Sequence, residues 1–517
     1  MRRGATKPNV LFIAVDDLRP QLGCYGHTQM HSPNIDSLAE GGVVFKRAYC
    51  QVPVCGSSRA SLLTGLRPTW TRFYDWDCRV DNDEPDTVTL PQYFKNNGYY
   101  TVSRGKIFHF TNDSAKSWSE PAWREANVWL KYHLEENKTI AAGNDDGFGP
   151  AFEGADVSDD SYGDGCLCTR AISDLNSLAA QDQPFFLAVG FMKPHLPFNC
   201  PKRYWDLYDR NSIDLADNPF SPKDCPPAAL HQWGELRSYH GIPAEGPLDD
   251  ETARTLIHAY YACVSYVDAQ IGRLMTELDQ LGIADNTIVV LWGDHGWNLG
   301  EHGLWCKHAN FETALHSPMI INAPAITGGK TVQALTEFID IYPTLAELCG
   351  LPVPGHCDGT SVVPLMNDPT LPGKTAVFSR YYEGDSVKTD KYRYTSMIDG
   401  KDTGKMYAHM LYDHETDPGE NTNIVHLPEN RATIIHMQDL LRGLEGWWLP
   451  LYPEEIGYHP GSSIASGDET LRGGPVWYTL RGRMLDRCTA RGMYVARAAG
   501  TSPLKQSWLG RSGFTPK

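Results

Sequence analysis

The sequence predicts an α/β fold, in which a large domain with a mainly parallel sheet flanked by helices is followed by a smaller C-terminal domain with an antiparallel sheet. Three observations lead there. Four near-continuous apolar runs recur up to residue 321, helical patterns fill the intervals between them, and a different set of runs begins after residue 374.

Residues 10–15, 185–189, 287–292 and 318–321 are apolar without alternation, as expected of strands that helices cover on both faces. Between them, residues 32–40, 90–97, 169–180 and the long stretch 250–281 carry apolar positions at helical spacing. Residues 143–165 hold six Asp and six Gly, which reads as a solvated loop and only occasionally as a second calcium site. Past the Pro- and Gly-rich stretch 367–374, residues 377–382, 391–398 and 406–412 read as half-buried antiparallel strands and 428–444 as a helix. The expected division is a catalytic domain at 1–370, a smaller domain at 371–460 and a basic tail at 461–517. From residue 471 onward nine Lys or Arg stand against a single acid, Asp486.

Whole-chain properties exclude several classes. With 517 residues the chain exceeds the size at which one core keeps growing. A net charge of −17 excludes a nucleic-acid binder and requires that any anionic substrate be captured by cations gathered in a pocket. No apolar run is long enough to span a bilayer. Residues 1–8 are too short and polar for a secretory leader, so the protein is cytoplasmic or its leader is missing from this sequence. The thirteen cysteines do not pair as CxxC knuckles, which excludes a structural zinc site and leaves disulfides open.

Chemistry gathers behind the strands. The first run leads into Asp16-Asp17, the second into Lys193-Pro194-His195 and the third into Asp294-His295. In a parallel sheet these positions share the carboxyl edge, where open α/β folds bind ligands. Singly, each acid reads as a cap and each His as structural; three clusters at three strand ends read as a site. Oxygen-rich donors favour calcium or magnesium and the His favours zinc or manganese, so the donor chemistry alone leaves the metal open. Residues 55–65, CGSSRASLLTG, read as a short helix entered through serine caps and closed by glycine. A nucleophile at Cys55 would have the helix amides aimed at an anion, with the fixed charge of Arg59 one turn on.

This run resembles the sulfatase signature CxPxRxxxLTG, in which the cysteine is oxidised to formylglycine after translation. The resemblance extends to about residue 445 and is strongest toward the iduronate-2-sulfatase branch, on VDDLRP at 15–20, RFYD at 72–75, GKIFH at 105–109, KPHLPF at 193–198 and DHGW at 294–297. It implies an alkaline-phosphatase-like large domain and a calcium ion held by Asp16, Asp17, Asp294, His295 and the modified Cys55. It further implies that Arg59 and Lys106 steady the formylglycine and the sulfate. Lys193 and Lys307 would add positive charge around the ester; His109 would be the base that releases sulfate, and His195 the acid that protonates the leaving sugar oxygen. The implied partners are a sulfated carbohydrate, possibly a 2-O-sulfated uronic acid, and a formylglycine-generating maturation enzyme. The implied location is periplasmic, secreted or lysosome-like. One position departs from the pattern: Ser57 stands where the family has Pro or Ala. Two other functions share these residues, a phosphodiester or phosphonate-ester hydrolase of the same superfamily and a carbohydrate-binding protein whose Cys55 is never converted.

Overall fold

The computed structural model describes residues 7–125, 128–399 and 405–444, together with the backbone of Val476–Thr479, Met484–Leu485 and Tyr494–Arg497. Apart from those strands, the basic tail at 461–517 lies outside the described residues.

The large sheet has seven strands: β1 (Asn9–Val15), β2 (Val43–Phe45), β3 (Tyr100–Gly105), β4 (Phe185–Phe191), β5 (Thr287–Gly293), β6 (Met319–Asn322) and β7 (Lys330–Val332). Their spatial order is β7-β2-β6-β5-β1-β4-β3. β1, β4 and β5 run parallel, as their apolar runs predict, and so does β3, which the sequence reading lacks; β6, the fourth predicted run, is antiparallel to both neighbours. β1 shows why its run lacks alternation. Leu11, Ile13 and Val15 enter one buried cluster while Val10, Phe12 and Ala14 enter the other, so both faces are covered. On the first face lie α1 (Pro33–Gly41), α4 (Gly163–Ala179) and α5 (Asp250–Gln280), whose Asp249 cap accepts from Thr252 N. On the second lie α2 (Cys55–Thr64), α3 (Leu90–Asn96) and α6 (Ile341–Leu348). None of the described helices is long and apolar enough to cross a membrane. Every cysteine among the described residues is a free thiol.

The acidic stretch 143–165 is only partly a loop. Phe152–Ala155 pairs with Phe198–Pro201, and α4 begins at Gly163 rather than 169. Asp164 is buried and accepts from Met192 N and Lys193 N, so it braces the loop after β4 instead of meeting water.

The smaller sheet has four antiparallel strands, β8 (Val377–Tyr381), β9 (Gly384–Lys388), β10 (Tyr392–Ile398) and β11 (Met406–Asp413). The sequence reading lacks β9, whose Gly384-Asp385-Ser386 start looks like a turn. Met437 and Leu441 of helix α7 (Arg431–Arg442) pack on Val387, Tyr394 and Leu411.

Because β1, β3, β4 and β5 are parallel, their carboxyl ends bring Asp16, Lys106, Lys193 and Asp294 to one edge. Two glycines permit the approach there. A Cβ on Gly190 would lie 2.0 Å from the Lys106 carbonyl oxygen, and one on Gly105, at φ +74°, would lie 2.1 Å from that of Gly190.

Candidate active site

Helix α2 starts at Cys55 and is buried along its length. Its N-cap is Val54, with no side-chain cap; the serines serve other contacts. Ser57 Oγ donates to the Asp75 carbonyl (2.5 Å) and Ser58 Oγ to that of Asp294. Gly65 ends the helix at φ +73°, as predicted. The amides of residues 55–57 precede the first helical bond, Ser58 N to Val54 O, so the helix leaves them without acceptors of its own, donors that an anion at this end can use.

Around Cys55 lies a buried mesh of charge. Arg59 joins two strand ends, with Nε 2.9 Å from Asp294 Oδ2 and an Nη 3.0 Å from Asp16 Oδ1. Lys106 Nζ lies 2.5 Å from the other Asp16 oxygen, and Lys307 Nζ 3.1 Å from Asp17. Burial pushes Asp16 up, but Lys106 and Arg59 overcome it and hold its carboxyl well below the usual range. Asp17 goes the other way. Burial, with the like charges of Asp16, Glu235 and Asp294, holds it well above that range despite Lys307. Its backbone sits at φ +58°, a left-handed conformation uncommon for a non-glycine residue.

His295 shows what belongs between these acids. Its Nδ1 donates to the Gly296 carbonyl (2.9 Å), which leaves the Nε2 lone pair facing Asp17 Oδ1 at 3.4 Å and Asp294 Oδ1 at 3.7 Å. Cys55 Sγ is 3.2 Å from the same nitrogen. Acceptors converge on acceptors, the arrangement a cation would satisfy. Donor atoms of Asp16, Asp17, Cys55 and His195 lie within 4.8 Å of one another, as do those of Cys55, Asp294 and His295. The oxygen-rich set fits a hard divalent ion. The Cys55 thiol is pushed well above its usual range by burial and Asp16, so it stays protonated and is a poor nucleophile as it stands.

Comparison with known proteins places the chain. A family model described as Sulfatase matches residues 8–351, and one described as N-sulphoglucosamine sulphohydrolase, C-terminal, matches 300–446. The chain is 35% identical to human iduronate 2-sulfatase over 80% of its own length and 90% of the relative's. It belongs to the sulfatase family. Among solved structures, a protein in complex with its substrate D-glucosamine-2-N,6-O-disulfate superposes with a TM-score of 0.69 at 22% identity, covering 84% of this chain and 97% of that one. A phosphonate monoester hydrolase from Silicibacter pomeroyi gives 0.68 at 23%, covering 84% and 94%. The fold is alkaline-phosphatase-like, with the chemistry of a sulfuric ester hydrolase.

Two histidines of the sulfatase face this pocket. His195 Nδ1 hydrogen-bonds the Leu196 carbonyl (2.6 Å), and its Nε2 lies 3.1 Å from Glu235 and 3.9 Å from Asp17. Burial and Lys307 pull its pKa down to about 3, with Glu235 acting in the opposite sense. The His109 ring lies edge-on to Phe110 and Trp76, its buried Nδ1 has no partner among the described residues, and burial and Lys106 keep it neutral. An unpartnered buried nitrogen is what a proton acceptor awaiting substrate presents. Lys193 stands apart from its predicted group. Its ammonium donates to the carbonyls of His195 (3.0 Å) and Pro197 (2.6 Å), which ties it to its own loop.

Glu235 escaped sequence reading. It sits on a single helical turn, Gly234–Arg237, and bridges His195 and Lys307 (3.0 Å). Lys307 and His195 together pull its carboxyl down to about 2 against burial. One acid among 63 Asp and Glu in a loop-rich stretch carries no signal of its own.

Proposed function

We propose that this sulfatase hydrolyses sulfate esters of a sulfated saccharide, with a 2-O-sulfated uronic acid as the first substrate to try. On this reading Cys55 is converted to formylglycine, and Asp16, Asp17, Asp294, His295 and residue 55 hold a calcium ion. The observation that carries it is Cys55 itself, a buried thiol at a helix N-terminus facing His295 Nε2 and ringed by Arg59, Lys106 and Lys307. Three cations suit a sulfate group, and the thiol as it stands suits no reaction.

Converted to formylglycine, residue 55 would supply a hydrated aldehyde, whose hydroxyls are the nucleophile and the means of releasing sulfate that the thiol lacks. When bound, calcium supplies positive charge to the sulfate oxygens. Arg59 and Lys106 lock Asp16 and Asp294 and leave positive charge facing the ester, with Lys307 closing the opposite side. His109 accepts a proton at Nδ1. His195 acts as the acid for the departing sugar oxygen in its imidazolium form: the Leu196 carbonyl holds the Nδ1 proton, so the proton given from Nε2 is a second one, taken up beside the Glu235 carboxylate against the burial that keeps the resting ring neutral. Lys193 then supports the loop that carries His195. Residues 1–370 carry the reaction, and 371–460 form the smaller domain.

The saccharide reading draws on the names of the human relative and of the glucosamine disulfate complex. A maturation enzyme reads the stretch around Cys55 before folding buries it, and the protein works outside the cytoplasm, in a periplasm or a secreted or lysosome-like setting. Protein co-expressed with such an enzyme should release sulfate from at least one member of a panel of sulfated mono- and disaccharides. Release from none would sink the proposal. An aryl phosphodiester turned over faster than an aryl sulfate would favour the phosphonate-ester hydrolase reading, which the Silicibacter neighbour motivates.

A further inference from the structure

The rim of the pocket carries a feature that the proposed reaction leaves without a role. Large apolar side chains are mostly buried in this fold, yet Trp76 is 43% exposed and Tyr382 42%. Both border the site. The Trp76 ring stands edge-on to His109, 6.0 Å between centroids, and a Cβ on Gly56 would lie 2.1 Å from its backbone oxygen. Tyr382 packs on Tyr381 at 4.5 Å, and Tyr381 lies 5.8 Å from the ring of His308, the neighbour of Lys307. Tyr74, two residues before Trp76, meets the Tyr382 ring at 5.5 Å and joins the two sides. Loop residues of the large domain and the end of β8 with its following turn thus build one aromatic border around the sulfate-binding groups.

The backbone gives a second sign. Tyr382 begins the turn between β8 and β9 at φ +46°, where glycine would sit without strain and a bulky side chain sits against its preference. Such residues concentrate where binding selects the side chain. An exposed carboxylate completes the surface. Asp77 lies exposed beside Trp76, while Asp75 on its other side is buried and pushed up to about 7 by burial and by Asp77; both act on the Tyr382 hydroxyl through space. Aromatic faces beside carboxylates match a pyranose ring, whose C–H face stacks and whose hydroxyls donate. A sulfated ring in that place would meet like charge.

We propose that Trp76 and Tyr382 form a stacking platform for an unsulfated pyranose adjoining the sulfated residue, so that the preferred substrate is at least a disaccharide. This rests on the saccharide sulfatase reading above.

The test compares kcat/KM for a 2-O-sulfated hexuronic acid alone, the same sugar joined to an unsulfated pyranose, and the same disaccharide with a second sulfate on the neighbour. The wild type should prefer the singly sulfated disaccharide over both others by about tenfold or more. Trp76→Ala and Tyr382→Gly should lose most of that preference through KM. Glycine suits the turn, so Tyr382→Gly should melt no lower than the wild type, which separates lost binding from lost folding. Equal kcat/KM for the three substrates in the wild type, or a preference that survives both substitutions, would overturn the platform. Calorimetric binding of the sulfate-free disaccharide to protein with an intact Cys55 needs no turnover. Binding weakened by both variants supports the platform even where no sulfate is released, a result that counts against the reaction alone; no binding overturns the platform.

Discussion

Two buried charge clusters in this protein have similar composition and opposite character. In the candidate active site Asp16, Asp17, Asp294 and Glu235 face Arg59, Lys106 and Lys307, so carboxylates outnumber these cations, and His295 turns a lone pair toward two of the acids. Between the large domain and the smaller sheet, Glu312 and Glu420 face Arg393 and Lys388. Glu312 contacts Arg393 (2.5 Å), Lys388 (3.6 Å) and the Tyr49 hydroxyl (2.8 Å); Glu420 contacts Arg393 and His414, both at 2.9 Å. The second cluster is closed by its own counter-ions and ties the helical turn Glu312–Leu315 to the smaller sheet. The first is left with surplus acceptors, which a stability role alone would not maintain.

The contrast is sharpest at Asp17. Asp17→Asn should lower sulfate release by about 10⁴-fold or more, measured on converted protein with calcium present. In metal-free protein the same change should leave the melting temperature equal or higher, because it removes a carboxylate crowded by three others. Glu420→Gln should do the reverse. Unfolding by denaturant should show about 3–4 kcal/mol lost, since Arg393 keeps its charge and loses a partner, while turnover per folded molecule is retained. If Asp17→Asn destabilised and Glu420→Gln did not, the two clusters would have been assigned the wrong way round.

Smaller effects refine the picture. Glu235→Gln should lower kcat by about 10- to 100-fold, with Glu235→Asp recovering part of it, because the carboxylate orients His195 and Lys307 and makes no bond to sulfur. A larger change in KM than in kcat would remove Glu235 from that role.

The smallest expected effect is on stability against pH. Burial would raise Glu312, but Lys388 and Arg393 hold it well below its ordinary value of 4.5; Glu420 lies below that value too, through His414 and Arg393. Carboxyls lowered by folding stabilise fully above the unfolded value and lose that contribution as pH falls through the folded one. Denaturation midpoints should therefore hold above about pH 4.5 and decline below it. In Glu420→Gln the decline should be shallower.

Most of the pocket was legible because its residues directly follow strands or sit in one short motif. Asp16, Asp17, Asp294 and His295 come straight after apolar runs, and Cys55 to Gly65 form a single helix. Lys106 also ends a strand, yet β3 was missed, because Ser103 and Arg104 are buried by local partners rather than by apolarity; Asp174 and Glu120 hold the guanidinium. Glu235 and the Tyr382 turn were not legible, since only the tertiary fold brings them to the strand ends. Lys193 was legible as a cation but not as one held by its own loop.

The proposed reaction depends on Cys55 becoming an aldehyde, and mass spectrometry of the peptide containing residue 55, from protein made in its native host, reads that directly. The account predicts a loss of about 18 Da relative to the cysteine peptide, the thiol-to-aldehyde change. An unmodified thiol in the native protein would contradict it and leave a carbohydrate-binding pocket without a nucleophile.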